Sequence, residues 1–186
     1  MSLQVKGTIL IDLVKQVRAE RSLNWDDYLA PEDWVFIDGD VMASSWYPDD
    51  FFYRLSLAVF KVMGQSDFEG CLAYGRLTAG NMAEIYKNLI VPGEPASCIE
   101  RFMTRRKSFF STDYKDSEKN QVIKKEGGVD VYTVVDEKIR GQDVADVIMY
   151  SVLGVMHELA IISGEKRVTS DLVNLGDHYH LRVNWG

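Results

Sequence analysis

The spacing of apolar residues changes at about residue 108 of this 186-residue chain. Before that point, apolar side chains recur at the three- and four-residue intervals of amphipathic helices, near 6–20, 48–64, 68–90 and 95–109. After it come two strand-like runs, one long apolar helix and two more strand-like runs. This order predicts a helical N-terminal half followed by a β-β-α-β-β unit.

The four strand-like runs lie at 122–126, 129–135, 167–174 and 178–185. Gly127-Gly128 is a hairpin signal between the first two, and residues 109–114 could add one more strand. We expect the helix at about 142–163 to cover one face of a small antiparallel sheet. The prediction is an α+β fold in one domain, with a helical subdomain at 1–107 and a β-β-α-β-β subdomain at 108–186.

The long helix is apolar on two sides, since Met149, Leu153, Met156 and Ala160 lie away from the side that faces the sheet. It should therefore contact both the sheet and the N-terminal helices, or else a second copy of the chain in a homodimer. Charged and polar residues interrupt it, so we interpret it as a buried helix and expect no membrane span.

The formal net charge of −7 argues against a nucleic-acid partner, because an acidic protein repels phosphate backbones. Nor is there the dense basic cluster that anionic membranes attract. Cys71 and Cys98 are the only cysteines and form no CxxC pair, which favours two reduced core thiols. The start of the chain shows no secretory signal, so we expect a cytoplasmic protein.

The closing segment, Gly176-Asp-His-Tyr-His-Leu-Arg-Val183, resembles the end of H-NOX (haem-NO-binding), four-vinyl-reductase and TRAPP-type domains. The middle and end of the chain resemble an uncharacterised bacterial family described from the myxobacteria. The residues that carry this second resemblance are Pro31–Trp34, Ser45–Pro48, Gly75–Ala79 and Val183–Trp185. The resemblances imply an H-NOX/TRAPP-like fold, and they imply no activity.

Two departures from those families bear on cofactors. H-NOX domains ligate haem through a histidine of the helical half and hold it with a Tyr-x-Ser-x-Arg motif. Here the first histidine is His157 and that motif is absent, so we expect no haem and no other cofactor. The late cysteines of four-vinyl-reductase domains, which suggest metal, are absent too, since Cys98 is the last cysteine.

Aromatic residues and methionines are plentiful enough to line an apolar pocket between the helical half and the sheet. Our candidate pocket residues are Trp46, Phe52, Tyr74 and Met103. The alternative is that these side chains simply pack in the core.

A basic cluster, Arg101, Arg105 and Arg106 with Lys107, could receive an anion or an acidic partner. The alternative is a solvated face that pairs with nearby glutamates. His178 and His180 share one face of a predicted strand and are weak metal candidates, because no third ligand is fixed; the alternative is two half-exposed histidines with no metal.

The sequence contains no phosphate-binding glycine loop and no Gly-x-Ser-x-Gly nucleophile elbow. We therefore predict a non-enzymatic domain that binds a small apolar molecule and acts in sensing or signalling. The alternative is a protein–protein interaction module that works as a homodimer without a small ligand.

Overall fold

A computed structural model describes residues 3–111, 120–134 and 141–186. The helices in these residues are α1 (Ile11–Ala19), α2 (Asp33–Asp38), α3 (Asp49–Val62), α4 (Phe68–Ile85), α5 (Pro95–Arg106) and α6 (Gln142–Ile162). The strands are β1 (Gln4–Lys6), β2 (Trp46–Pro48), β3 (Asn120–Lys125), β4 (Gly128–Thr133), β5 (Val168–Asn174) and β6 (Tyr179–Trp185). The predicted α+β class, with helices before a β-β-α-β-β unit, is confirmed.

The C-terminal sheet is antiparallel throughout, with strand order β3-β4-β6-β5. Leu181 on β6 lies opposite Val131 on β4 and Leu172 on β5. Val129, Val131, Leu181 and Val183 are fully buried because α6 covers this face. The opposite face carries polar residues, as the alternation along a half-buried strand predicts.

Helix α6 lies between the sheet and the N-terminal helices. Its second apolar side packs on α4, and the two helices touch through glycines: a Cβ on Gly75 would lie 2.1 Å from the Ser151 carbonyl oxygen, and one on Gly154 2.2 Å from that of Leu72. In length and composition α6 could cross a membrane, but most of it is buried inside the protein. The second apolar side of α6, which suggested a homodimer, is thus buried within one chain.

Long-range pairing replaces part of the predicted first helix. β1 pairs with β2, with Val5 opposite Tyr47, and α1 begins only at Ile11. Strand β2 lies at 46–48, immediately before α3. Of the possible strand at 109–114, Phe110 makes a single bridge to Val5, and residues 112–114 lie outside the described residues.

The helical half differs from the prediction in further details. Helix α2 lies in a stretch to which the apolar spacing assigned no helix. Helix α4 is capped by Asp67, whose side chain accepts a 3.0 Å hydrogen bond from the Glu69 backbone N–H. The α4 helix ends at Ile85 instead of about residue 90.

Candidate ligand cavity

An apolar pocket, which we call the inner lobe, lies where α3, α4, α5 and α6 face one another. Its volume is about 100 Å³. Its walls are mostly aromatic and aliphatic, including Phe52, Met82, Phe102, Phe109, Phe110, Ile148, Val152 and Val155. None of the described sheet residues lines it, because α6 stands between the cavity and the sheet. The predicted pocket therefore lies one layer further from the sheet than expected.

A wider outer lobe, of about 360 Å³, adjoins the inner lobe on the side of α1, α3 and α4. Met63 and Leu77 line it and are exposed, so this lobe reaches the surface. Four residues line both lobes and form the partition between them: Ser56, Tyr74, Val147 and Ser151. The two lobes are thus neighbouring chambers that share one wall, and the outer chamber by itself falls within the size range of small-molecule sites.

Tyr74 is the largest residue of the partition. Burial raises the pKa of its hydroxyl above the ordinary tyrosine value. A contact with Thr78 lowers this pKa in part, and the negative charge of Asp12 raises it further. Cys71, on the wall of the outer lobe, has its pKa raised to about 12, first by burial and then by Asp67. Both groups are protonated at neutral pH, so the partition and the outer wall carry no charge there.

Arg106 brings a positive charge to the inner lobe. It lies at the end of α5, is only 5% exposed, and its guanidinium carbon lies 5.3 Å from the centre of the Phe110 ring. The other charged residue of this wall is Asp12, whose carboxylate contacts Lys15 at 3.2 Å and accepts a 2.9 Å hydrogen bond from Asn81.

Of the four residues predicted to line the pocket, two line the cavity and two lie elsewhere. Phe52 and Tyr74 line the cavity. Met103 is buried in the surrounding core, and Trp46 is 43% exposed on β2 with the Lys6 ammonium 5.3 Å from its ring. Sequence reasoning missed Ser56, Ser151 and Cys71, because isolated small residues on helices form no recognisable motif.

The predicted basic cluster is also divided. Arg101 donates a 2.6 Å hydrogen bond to the Asn88 carbonyl oxygen, and Arg105 lies over the Tyr86 ring at 4.3 Å. These two arginines line a shallow surface depression, whereas Arg106 points into the protein. The expected anion site is therefore not one cluster of three.

His178 and His180 lie on or beside β6, on the polar face of the sheet. His180 stacks on Tyr132 at 4.3 Å and lies 3.3 Å from Asp130, while His178 contacts Asp177 at 2.5 Å. Burial raises the pKa of Asp130, but hydrogen bonds from Lys125 and His180 outweigh it and lower the pKa overall. Within the described ranges, no three His, Cys, Asp or Glu side chains come together around a metal position.

No family model and no curated protein matches the chain. Solved structures do match it. The Fe(II) unliganded H-NOX protein from K. algicida superposes with a TM-score of 0.66 at 13% identity, over 97% of this chain and 96% of that one. The fold is that of the H-NOX domains.

Two other H-NOX structures give the same result. A point mutant of T. Tengcongensis H-NOX superposes with a TM-score of 0.60 at 14% identity, over 97% of both chains. An oxygen-binding H-NOX domain related to soluble guanylate cyclases superposes at 0.58 and 13% identity, over 97% of this chain and 94% of that one. At this identity the shared property is the fold. The resemblance to the myxobacterial family stays a prediction.

The H-NOX fold corrects one prediction. We expected no cofactor because the helical half lacks histidine, yet structures with this fold are described in terms of heme redox potential and heme distortion in the H-NOX family. The absence of a histidine in the helical half was therefore not a sufficient reason to set haem aside.

The cavity fits parts of a haem group. Its apolar walls suit a macrocycle, and Arg106 suits a carboxylate. Among the described residues none of the three histidines lines either lobe, so the wall offers no imidazole. The side chains of the wall that can ligate haem iron are Met63, Cys71, Tyr74 and Met82.

Proposed function

We propose that this chain is a non-enzymatic, cytoplasmic sensory domain that binds a small apolar molecule in the two-lobed cavity. The observation that carries the proposal is the pair of apolar chambers: an inner lobe among the helices and a wider outer lobe that reaches the surface, separated only by a few side chains. The H-NOX fold supports the proposal, because proteins with this fold include an oxygen-binding domain.

Haem is one ligand that the cavity could hold. Bound haem would supply an iron that takes up a diatomic gas. In this chain Tyr74, Cys71, Met63 or Met82 would hold the iron, and Arg106 would face a carboxylate of the macrocycle. Because Tyr74 and Cys71 are protonated at neutral pH, ligation by either must release a proton and becomes tighter as pH rises.

The helix that walls both chambers gives the domain a route for a signal. Tyr74 and Gly75 are neighbours on α4: one forms the partition and the other contacts α6 at the glycine crossing. A ligand that displaces Tyr74 pushes on α4 at this crossing. Since α6 also packs on the sheet, the displacement reaches the C-terminal unit. Packed helices of this kind shift as discrete units.

Thermal unfolding with added ligand tests the proposal. Haemin and palmitic acid are each added to the purified domain, and a ligand at a hundred times its Kd should raise the Tm by about 5–10 °C. Ser56→Leu places a larger side chain in the partition and should abolish the rise. Ser44→Leu, in the exposed turn before β2, is the matched control and should keep it.

The proposal fails if neither haemin nor palmitic acid stabilises the wild-type domain. It also fails if Ser56→Leu folds normally and keeps the full rise in Tm, because the ligand would then bind outside the cavity. The Soret absorption of a haemin mixture shows separately whether iron is ligated by the protein.

A further inference from the structure

We infer that the surface depression beside α5 docks an acidic segment of a partner protein, and that Arg101 and Arg105 receive its carboxylates. The depression has a volume of about 400 Å³ and lies between α5 and the short 3-10 helix Lys87–Leu89. In the described part of the chain it shares no lining residue with either lobe of the cavity. The inference therefore adds a partner and does not depend on the ligand.

Contacts within the chain hold both arginines in position before a partner binds. Arg101 donates a 2.6 Å hydrogen bond to the Asn88 carbonyl oxygen. The guanidinium carbon of Arg105 lies 4.3 Å from the centre of the Tyr86 ring. A guanidinium has five N–H donors, so these contacts leave most of them for another group. A side chain that is already held in one position loses little conformational entropy when it binds a partner.

Neither of these arginines has a carboxylate partner among the residues that the structure describes. Carboxylates are plentiful in the chain, which has 28 Asp and Glu against 21 Lys and Arg. Elsewhere they are used: Arg21 contacts Asp38 at 2.7 Å. The acidic residue of the depression, Glu100, is held by Lys124 at 2.6 Å. The depression therefore presents positive charge that is left for an anion from outside.

Two lysines extend this positive charge along the edge of the depression. Lys87 precedes Asn88, whose carbonyl oxygen accepts the hydrogen bond from Arg101, and Lys107 lies two residues after Arg105. Lys87 is exposed and Lys107 is half-buried. A guanidinium binds a carboxylate by two parallel hydrogen bonds, whereas a lysine acts as a point charge. The arginines thus fix the carboxylates, and the lysines attract the acidic segment.

A short acidic protein segment suits this surface better than a nucleic acid or a membrane. Those polyanions present many negative charges over a wide area, and a chain with a net charge of −7 repels them outside the depression. A segment with a few carboxylates needs only the two arginines and the neighbouring lysines. The small extent of the basic surface therefore selects the partner class.

Fluorescence anisotropy with labelled peptides is the test. The probe is a fluorescein-labelled decapeptide of alternating Glu and Ser, and its control is the same peptide with Gln in place of Glu. At about 20 mM salt, where surface charges are weakly screened, the wild-type domain should bind the acidic peptide at least about tenfold more tightly than the control. Equal binding of the two peptides overturns the inference.

Variants assign the effect to the depression. The double variant Arg101→Gln with Arg105→Gln should lose at least about tenfold in affinity for the acidic peptide, and the matching pair of Lys substitutions should retain part of it. Lys166→Gln with Arg167→Gln removes the same charge from two exposed residues before β5 and should change the affinity less than about twofold. Equal losses in the two Gln variants would assign the binding to net charge and overturn the inference.

Two further measurements keep the inference testable if the Arg101→Gln, Arg105→Gln variant does not fold. In the ¹⁵N-labelled wild-type domain, the acidic peptide should shift the amide signals of residues 87–89 and 100–105. Shifts confined to other residues overturn the inference. A labelled DNA duplex and phosphatidylserine vesicles are titrated in parallel. Tighter binding of either one than of the acidic peptide, at the same amides, would overturn the assignment of the partner as a protein.

Discussion

The carboxylate of Asp33 is fully buried, and hydrogen bonds from Arg54 and Ala30 compensate its negative charge. Arg54 donates hydrogen bonds of 2.8 and 2.7 Å to its two oxygens, and the Ala30 backbone N–H donates a third of 2.9 Å. The pair ties α2 to α3. The hydrogen bond to Asp33 also raises the pKa of Arg54.

Removing Arg54 should therefore be costly. Arg54→Met leaves the Asp33 charge buried with one hydrogen bond, and we expect it to lower the free energy of unfolding by about 2–3 kcal/mol in urea denaturation. This is below the usual cost for a fully buried pair because the Arg54 side chain is 36% exposed. Arg21→Met, which breaks the exposed pair with Asp38, should cost less than about 1 kcal/mol. Equal losses in the two variants would contradict this account.

His157, on α6, connects stability to pH. Burial lowers its pKa, Arg76 lowers it further, and Glu69 opposes both; its Nδ1 lies 3.1 Å from the Ser170 hydroxyl. The unfolded chain, with a pKa of about 6.5 at this residue, therefore binds a proton at a pH where the folded chain does not.

The stability contributed by neutral His157 should be present above pH 6.5 and be lost as pH falls below it. We expect a slope of at most about 1.4 kcal/mol per pH unit from this residue. Urea unfolding at pH 7.5 and 5.5 measures it, and His157→Gln should remove that part of the pH dependence. The lowered pKa of Asp130 acts in more acidic solution, outside this interval. An unchanged slope in His157→Gln would assign the effect to other groups.

At the scale of the elements, the α4–α6 crossing brings two helix backbones into direct contact at Gly75 and Gly154. Gly75→Ala would bring a methyl group within 2.9 Å of the Gly154 Cα and closer still to the Ser151 carbonyl oxygen, both backbone atoms that cannot rotate away. We expect a loss of about 3 kcal/mol, seen as a lower Tm. Gly80→Ala, on the same helix with no heavy atom within 4 Å, should gain about 0.5–1 kcal/mol. Similar effects at both positions would mean that the helices are not in close contact.

Elements with a strong local signal were predictable from the sequence. The positions of the C-terminal strands along the chain and the extent of α6 follow from the periodicity of apolar residues and from the Gly127-Gly128 turn. By contrast, β1 and β2 form through pairing between residues forty or more positions apart, which no local pattern in either segment predicts. Helix α2 is short, and the ion pair between Asp33 and Arg54 holds it against α3. No local sequence pattern predicts this pairing.

The cavity was only partly predictable for a related reason. Phe52 and Tyr74 follow from the abundance of aromatic residues, and Arg106 from the basic cluster. Whether an arginine of that cluster faces solvent or the interior depends on how α5 is rotated against its neighbours. The chambers themselves arise from the way four helices fit together, which is a property of packing and leaves no signature in any one segment.

At the scale of the whole molecule, the layers of the fold connect the cavity with the sheet. The chambers lie against one side of α6 and the sheet against the other. A ligand bound in the chambers would therefore contact the same helix that packs on the C-terminal sheet. The opposite face of the sheet carries Asp130, Tyr132 and His180, and the His180 ring contacts both of the others. A shift of α6 would therefore move the strands that hold these polar side chains.

A crystal structure of the domain grown with whichever of palmitic acid and haemin binds more tightly tests the central claim most directly. We predict continuous ligand density through both chambers, with Tyr74 displaced from its position between them. Ligand density confined to the protein surface, with Tyr74 unmoved between two empty chambers, would contradict the account.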